Sequence, residues 1–312
     1  MIVRTNPVRT CRVTTALAVL LAGALTACGG SDAGPDRPTV VVTTSVLGAV
    51  VRDVVGDAAD VVVLVPNGAD PHEWEPSARD IASVNHASLI VRNGLDLEGG
   101  LQDALDAAGD DGVATFVAAD HITVRHVRAG EGTSADDPDQ AEGAADPHLW
   151  MDPLAMRDVV LALGPALAAL GIETGDAATR VAADLTALDA TVRDILAPVP
   201  TADRLLVTGH ESLGYFAARY DFRLIGAIVP SLTTAAEASS GDLADLADRI
   251  RTTGAKAVFT EIGTPASVAD AVGSEAGVPV VELPSHTLPD DGSYASFLTD
   301  VATRIATALT EP

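Results

Sequence analysis

The chain has 312 residues, enough for two domains of ordinary size, and it carries 44 acidic against 19 basic side chains, a formal net charge of −25. That balance leaves no basic footprint for a phosphate backbone or an anionic membrane surface, so no nucleic-acid partner is expected. Hydrophobic residues at 47% exclude a disordered acidic tail, aromatics at 3% argue against a stacking binder of sugars or bases, and two cysteines, Cys11 and Cys28, exclude a disulfide framework or a cysteine-rich zinc site.

Residues 1–27 read as a secretory leader. Arg4, Arg9 and Arg12 form a positive start with no acid among them, and residues 16–25 are an apolar stretch. At about ten residues that stretch is signal-peptide length and too short to span a bilayer. It ends in Leu25-Thr26-Ala27-Cys28, which resembles a bacterial lipobox. That resemblance implies cleavage before Cys28, lipidation of its thiol and an extracytoplasmic chain anchored to the cell membrane. Residues 28–38 read as a flexible tether. The remaining chain is more acidic still and has no free thiol, so a metal site in it must use His, Asp and Glu. It contains no GxGxxG and no GxxxxGK[ST] loop.

Continuous apolar runs then alternate with helical patterns, as expected for parallel strands buried on both faces. Strands are expected at 39–43, 60–65, 89–92 and 114–118, with helices at 46–55, from Ser77 on, and at 98–107. Ser77 with Asp80 is a helix-capping signal. Residues 129–145 are acidic and of low complexity and are expected to form a loop. Two long helical patterns follow, 154–170 and 176–196. Strands are expected again at 204–208, 223–228, 257–260 and 278–283. Helices are expected at 211–220, 241–252 and 265–276, with a last one ending near Leu309. The fold class is therefore α/β: two lobes with parallel sheets joined by a long rigid helix. The expected boundaries are 39–170 for the first lobe, 171–198 for the linking helix and 199–312 for the second lobe.

Four of the seven histidines stand at turns near strand ends or helix starts. They are His72 in Asp70-Pro-His-Glu-Trp-Glu-Pro, His148 in Asp146-Pro-His-Leu-Trp-Met-Asp-Pro, His210 in Thr208-Gly-His-Glu, and His286 in Leu283-Pro-Ser-His-Thr. In open α/β sheets the carboxyl ends of strands line the ligand crevice, so facing lobes can bring four imidazoles to one point. Thiol-free, imidazole-rich sites suit zinc, copper, nickel or iron better than metals that prefer oxygen ligands. Glu73, Glu211 and Glu261 are candidates to fix the imidazole tautomers from behind. His86 reads as a mid-helix surface residue, and His121 and His126 flank the acidic loop. Trp74 and Trp150 either shield the site or pack the core. Ser212 after His210-Glu211 lacks the GxSxG elbow of a serine hydrolase.

Taken together, Asp70-Pro-His72-xx-Glu75-Pro-Ser77-xx-Asp80, Asn93-Gly-Leu95-xx-Glu98, Asp146-Pro-His148-x-Trp-x-Asp-Pro153 and Gly209-His-Glu-x-x-Gly-Tyr215 resemble the zinc/manganese solute-binding lipoproteins of bacterial ABC importers, from about Val40 to the C-terminus. The resemblance implies two α/β lobes with a metal between them, ligated by His72, His148 and His210. Manganese members tend to carry Glu where His210 stands, and zinc members His. The fourth position is usually an acid. Here His286 falls there, and three histidines with His286 or with water are both open. The resemblance further implies a non-enzymatic monomer that carries Zn(II) as its transported ligand to an ABC permease and its ATPase. The alternatives are a carrier of manganese or another divalent metal, a surface adhesin of the same family, and a His-ligated zinc hydrolase, which has no HExxH to support it.

Overall fold

In the computed structural model of the chain, residues 1–2, 37–128 and 143–310 are described. The expected leader, Cys28 and most of the tether lie outside the described residues, as do residues 129–142 of the acidic segment.

The first lobe is built on β1 (Thr39–Val42), β2 (Asp60–Val63), β3 (Leu89–Arg92) and β4 (Thr115–Val117), all parallel, in the order β2-β1-β3-β4. Its helices are α1 (Ser45–Val55), α2 (Ala78–Asn85) and α3 (Gln102–Asp110). Then come α4 (Pro153–Ala169) and α5 (Ala177–Leu196). The second lobe repeats the plan with β5 (Leu205–Thr208), β6 (Arg223–Ala227), β7 (Val258–Thr260) and β8 (Val280–Glu282), again parallel, in the order β6-β5-β7-β8. Its helices are α6 (Gly214–Tyr220), α7 (Ser240–Thr253), α8 (Ala266–Ala276) and α9 (Tyr294–Thr310).

The alternation of side chains along each strand decides where the cores sit. On β1, Val40 and Val42 enter one apolar cluster and Val41 another; on β3, Leu89 and Val91 part from Ile90 in the same way. On β5, Leu206 parts from Leu205 and Val207, and on β7 Phe259 parts from Val258. The outer faces are covered separately, by Val84, Leu101 and Leu105 on the first sheet and by Leu246, Ile250 and Val272 on the second. The inner faces share a single core with α1, α4, α5, α6 and α9. The two lobes thus carry separate sheets but a common interior. At 20 residues, α5 is about 30 Å long, and it packs against α1 and α4 on one side and α9 on the other.

Local sequence explains the helix starts. Ser77 with Asp80 and Ser239 with Asp242 form reciprocal capping boxes. Losing such a cap serine costs about 0.5–2 kcal/mol. Asp152 accepts from the Leu154 N–H at 2.8 Å, with Pro153 in the first turn, so α4 starts five residues beyond His148.

Three expectations are corrected. Helix α6 begins at Gly214 rather than Glu211, because residues 209–213 are held as a turn by the Glu211 N–H on the Ser231 carbonyl and the Ser212 N–H on the His210 carbonyl. His86 is the exposed residue that caps the end of α2, not a mid-helix one. The acidic loop is shorter than 129–145: the Val127 N–H donates to the Ala144 carbonyl and the Gly143 N–H to the Val127 carbonyl, so residues 143–145 are one side of a two-stranded stem.

Candidate metal centre

The structure brings His72, His148, His210 and His286 to one point. His72 lies in the segment between β2 and α2. His148 lies at the entry to a 3-10 turn before α4, and His210 and His286 follow β5 and β8. One ring nitrogen from each histidine lies within 4.8 Å of the other three. Nε2 of His148 is 3.4 Å from Nε2 of His72 and 3.1 Å from Nε2 of His210. A tetrahedral zinc with bonds of about 2.0–2.1 Å has ligand–ligand edges of about 3.3–3.4 Å, so these nitrogens already stand near the corners such an ion requires. The His286 ring stacks on that of His210 at 5.8 Å and 20°, and its Nε2 is buried with no hydrogen-bond partner. A buried, unsatisfied acceptor is costly unless a ligand takes it up.

Each lobe backs one imidazole with a buried carboxylate. In the first, Asp146 Oδ1 accepts from the His148 N–H at 3.0 Å and lies 2.9 Å from His148 Nδ1, while Oδ2 pairs with Arg125 at 3.0 Å. In the second, Glu261 Oε1 lies 2.8 Å from His210 Nδ1 and accepts the His210 backbone N–H at 3.2 Å. The Ser212 hydroxyl lies 2.7 Å from each oxygen of that carboxylate. These carboxylates leave Nε2 as the outward ligand atom of both rings. Asp70 serves His72 differently, accepting its backbone N–H at 3.0 Å.

Burial drives the His72 imidazole well below its ordinary range, helped by the three neighbouring rings. Burial pushes His286 down to about 3, with His210 adding to the effect. Burial also wins at His148, against the pull of Asp146. At His210 the balance reverses: burial pulls it down, but Glu261, with Asp70 and Asp146, outweighs that and holds it up. Glu261 itself is held far below the ordinary carboxylate range: its burial would raise it, but His210, His286 and hydrogen bonding to Ser285 overcome that.

The lobes are stitched together around the cluster. The Trp150 indole N–H donates to the Ser285 carbonyl at 2.9 Å, and the Tyr294 hydroxyl donates to the Trp150 carbonyl at 2.7 Å. The Asn67 amide exchanges two bonds with the Leu288 backbone, at 2.9 and 2.7 Å. The Trp150 ring sits 5.3 Å from both His148 and His286, so it shields the cluster as well as packing the core, whereas Trp74 packs only under the first lobe's outer face.

Of the three acids expected behind the imidazoles, Glu261 meets the His210 ring. Glu73 does not belong there: it is exposed, because the turn that aims His72 inward turns the next side chain out. Glu211 is buried, but it is Glu261 that occupies the place beside His210 Nδ1. Asp146 was not among the expected partners. Its signal was the repeat of Asp-Pro-His at 70–72 and 146–148, in which each Asp accepts the N–H of the His two residues on. The Tyr215 hydroxyl accepts the Arg125 N–H at 2.9 Å.

Residues 40–308 match the family model described as "ZnuA: Zinc-uptake complex component A periplasmic". The chain belongs to this family. Similar proteins include the manganese-binding lipoprotein MntA of Halalkalibacterium halodurans, 26% identical with 91% of each chain covered. The zinc-binding protein TroA of Treponema pallidum is 29% identical, over 93% of this chain and 95% of that one. The iron ABC transporter substrate-binding lipoprotein MtsA of Streptococcus pyogenes is 24% identical, over 89% and 91%. The solved structure of the periplasmic zinc-binding protein TroA superposes with a TM-score of 0.75 at 26% identity, over 88% of this chain and all of the other. The chain is thus a substrate-binding protein of a metal ABC transporter, with a divalent metal as its cargo, and not an enzyme. Among the described residues no helix is long and apolar enough to cross a membrane.

Proposed function

We propose that the metal is Zn(II), bound by His72, His148, His210 and His286, and that the protein is an extracytoplasmic lipoprotein that hands this ion to an ABC permease and its ATPase. The observation that carries the reading is the donor set: four ring nitrogens, one of them an orphaned Nε2, with Asp146 and Glu261 engaged behind two of the rings. All-nitrogen, four-coordinate donors favour tetrahedral zinc over manganese, which prefers oxygen. A fourth imidazole also closes the coordination shell, as suits a carrier, where a hydrolase keeps one position open for water. Lipidation at Cys28 after removal of residues 1–27, a monomeric state, and residues 171–198 as the rigid strut between lobes 39–170 and 199–312 complete the proposal. The relatives named as lipoproteins support the anchor.

The test is competitive binding of Zn(II) against Mn(II) to chelator-stripped protein, with His286→Ala alongside. Tight 1:1 zinc binding that weakens in the variant is the expected result. Zinc binding indifferent to the variant would move the fourth ligand from His286 to water or an acid. A preference for manganese or iron would overturn the zinc assignment and leave the chain a carrier of that metal, as the names of MntA and MtsA state for those proteins.

A further inference from the structure

The Arg125–Asp146 pair stands one step behind a ligand histidine, and it is gripped by the opposite lobe. Asp146 divides its carboxylate, Oδ1 toward His148 Nδ1 at 2.9 Å and Oδ2 toward Arg125 Nη1 at 3.0 Å. The two residues are also joined through the backbone, since the Asp146 N–H donates to the Arg125 carbonyl at 2.9 Å at the base of the two-stranded stem. Asp146 is buried and the Arg125 side chain is largely covered, at 0% and 9% exposure. From the second lobe, the start of α6 lies directly on the pair. The Arg125 N–H donates to the Tyr215 hydroxyl at 2.9 Å. A Cβ added at the neighbouring Gly214 would fall inside van der Waals contact of Asp146 Oδ2 and Arg125 Nη1, and 2.7 Å from Arg125 Cζ. Gly214 is therefore required by space: only hydrogen there lets the second lobe seat on the pair while Asp146 keeps its position behind His148.

We propose that Arg125 is a positioning residue of the metal centre that acts through Asp146, and that the absent side chain at Gly214 keeps this relay in register when the lobes meet. Arg125 touches no ligand histidine. It fixes which Asp146 oxygen faces the imidazole, and so the direction in which His148 Nε2 points. Outer-shell partners of metal-bound imidazoles typically contribute 10–100-fold to affinity, and a residue one step further out should sit near the low end. The inference rests on the four-histidine reading of the site.

The experiment is zinc titration, against a competing chelator, of the full-length chain in detergent. The variants are Arg125→Gln, Arg125→Lys, Asp146→Asn, the double variant Arg125→Gln/Asp146→Asn, Gly214→Ala and Gly214→Ala/Asp146→Ala. Arg125→Gln is expected to weaken zinc binding about tenfold, with part of the loss recovered in Arg125→Lys. The double variant should bind no more weakly than Asp146→Asn alone, since Arg125 acts through that carboxylate. Gly214→Ala should lose a similar amount, and adding it to Asp146→Ala should lose little more, since the displaced Arg125 then has no carboxylate through which to reach His148. A merely structural role would lower the metal-free melting temperature without this coupling. Four results would overturn the inference: affinity within about twofold of the parent in both Arg125→Gln and Gly214→Ala, losses that multiply in the double variant, a loss in Arg125→Lys as large as that in Arg125→Gln, or a full Gly214→Ala loss persisting without the Asp146 carboxylate. His148→Ala separates the two readings: if it binds zinc like the parent, the site assignment falls; if it loses binding while Arg125→Gln does not, only this inference falls.

Discussion

His148 and His210 are near twins with opposite electrostatics. Each is fully buried, each has a carboxylate at Nδ1, at 2.9 and 2.8 Å, and their Nε2 atoms stand 3.1 Å apart. Yet burial wins at His148, which is held down, while Glu261 wins at His210, which is held up. The difference lies behind the carboxylates. Asp146 shares its charge with the Arg125 guanidinium, whereas Glu261 is hydrogen-bonded by the Ser212 hydroxyl, by Ser285 and by the His210 backbone N–H. A carboxylate that shares its charge with a cation pulls less on an imidazole's proton than one bonded by neutral groups. The first lobe's ring is thus shifted toward its neutral form and the second lobe's toward its protonated form, whose proton would compete with an entering metal.

The largest effect that probes this contrast is removal of the rings. His148→Ala and His210→Ala should each weaken zinc by more than the ~100-fold reached by outer-shell changes, measured by competition with a chelator. Equal retention of tight binding in both would mean that the four-nitrogen cluster is not the site.

Next come the carboxylates. Asp146→Asn and Glu261→Gln should each cost about 10–100-fold, since each side chain fixes both the ring and the backbone N–H of its histidine. The contrast sharpens with pH. In the parent, as pH is lowered, zinc affinity should begin to fall while the pH is still above the ordinary histidine value of about 6.5, because His210 is held above it and its proton competes with the ion. In Glu261→Gln the onset should move to lower pH, and in Asp146→Asn it should not. Affinity–pH curves that shift alike in the two variants would erase the distinction drawn between the lobes.

A smaller effect is expected on the metal-free protein. His72, His148 and His286 are held below the ordinary value, so as pH drops below about 6.5 the unfolded chain takes up protons first and stability falls. His210 works the other way: the stability it adds is fully present below that value and is lost as pH rises through its raised folded value. With three groups against one, the metal-free melting temperature should decline from pH 7 to pH 5, and zinc should offset the decline at the upper end of that range by binding the folded form. A flat profile would contradict the directions given for the three lowered rings.

The smallest effect concerns the acidic segment. It contains no histidine, so deleting residues 131–141 should leave zinc affinity close to the parent's. Extending the deletion through Ala145 should weaken it, since that removes the rungs Gly143 and Ala144 make with Val127, next to Asp146. Equal affinity for the two deletions would show that the stem has no part in holding Asp146.

Much of this molecule is written locally. Continuous valine runs such as Thr39–Val42 favour a strand buried on both faces, the Ser77/Asp80 and Asp152-Pro153 pairs start helices, and each of the four clustered histidines stands in a turn next to a strand or a helix start. These signals act within a few residues, where short-range sterics and capping bonds dominate, and the sequence alone was sufficient for the two α/β lobes and the four imidazoles. Which acid serves which ring was not legible, because it depends on contacts distant along the chain. Glu261 reaches His210 from 51 residues away, while Glu211, its neighbour, does not take that place. Glu73 is adjacent to a ligand and points to solvent; Asp146 reads as a turn former and proves to be the link between Arg125 and His148. The place of His286 was likewise open until packing set its ring on His210 and left Nε2 facing the other three. Sequence determined which residues could bind, because ligand chemistry belongs to the side chain; tertiary structure decided how they are oriented and charged, because burial and the pairing of distant charges exist only once the lobes are packed.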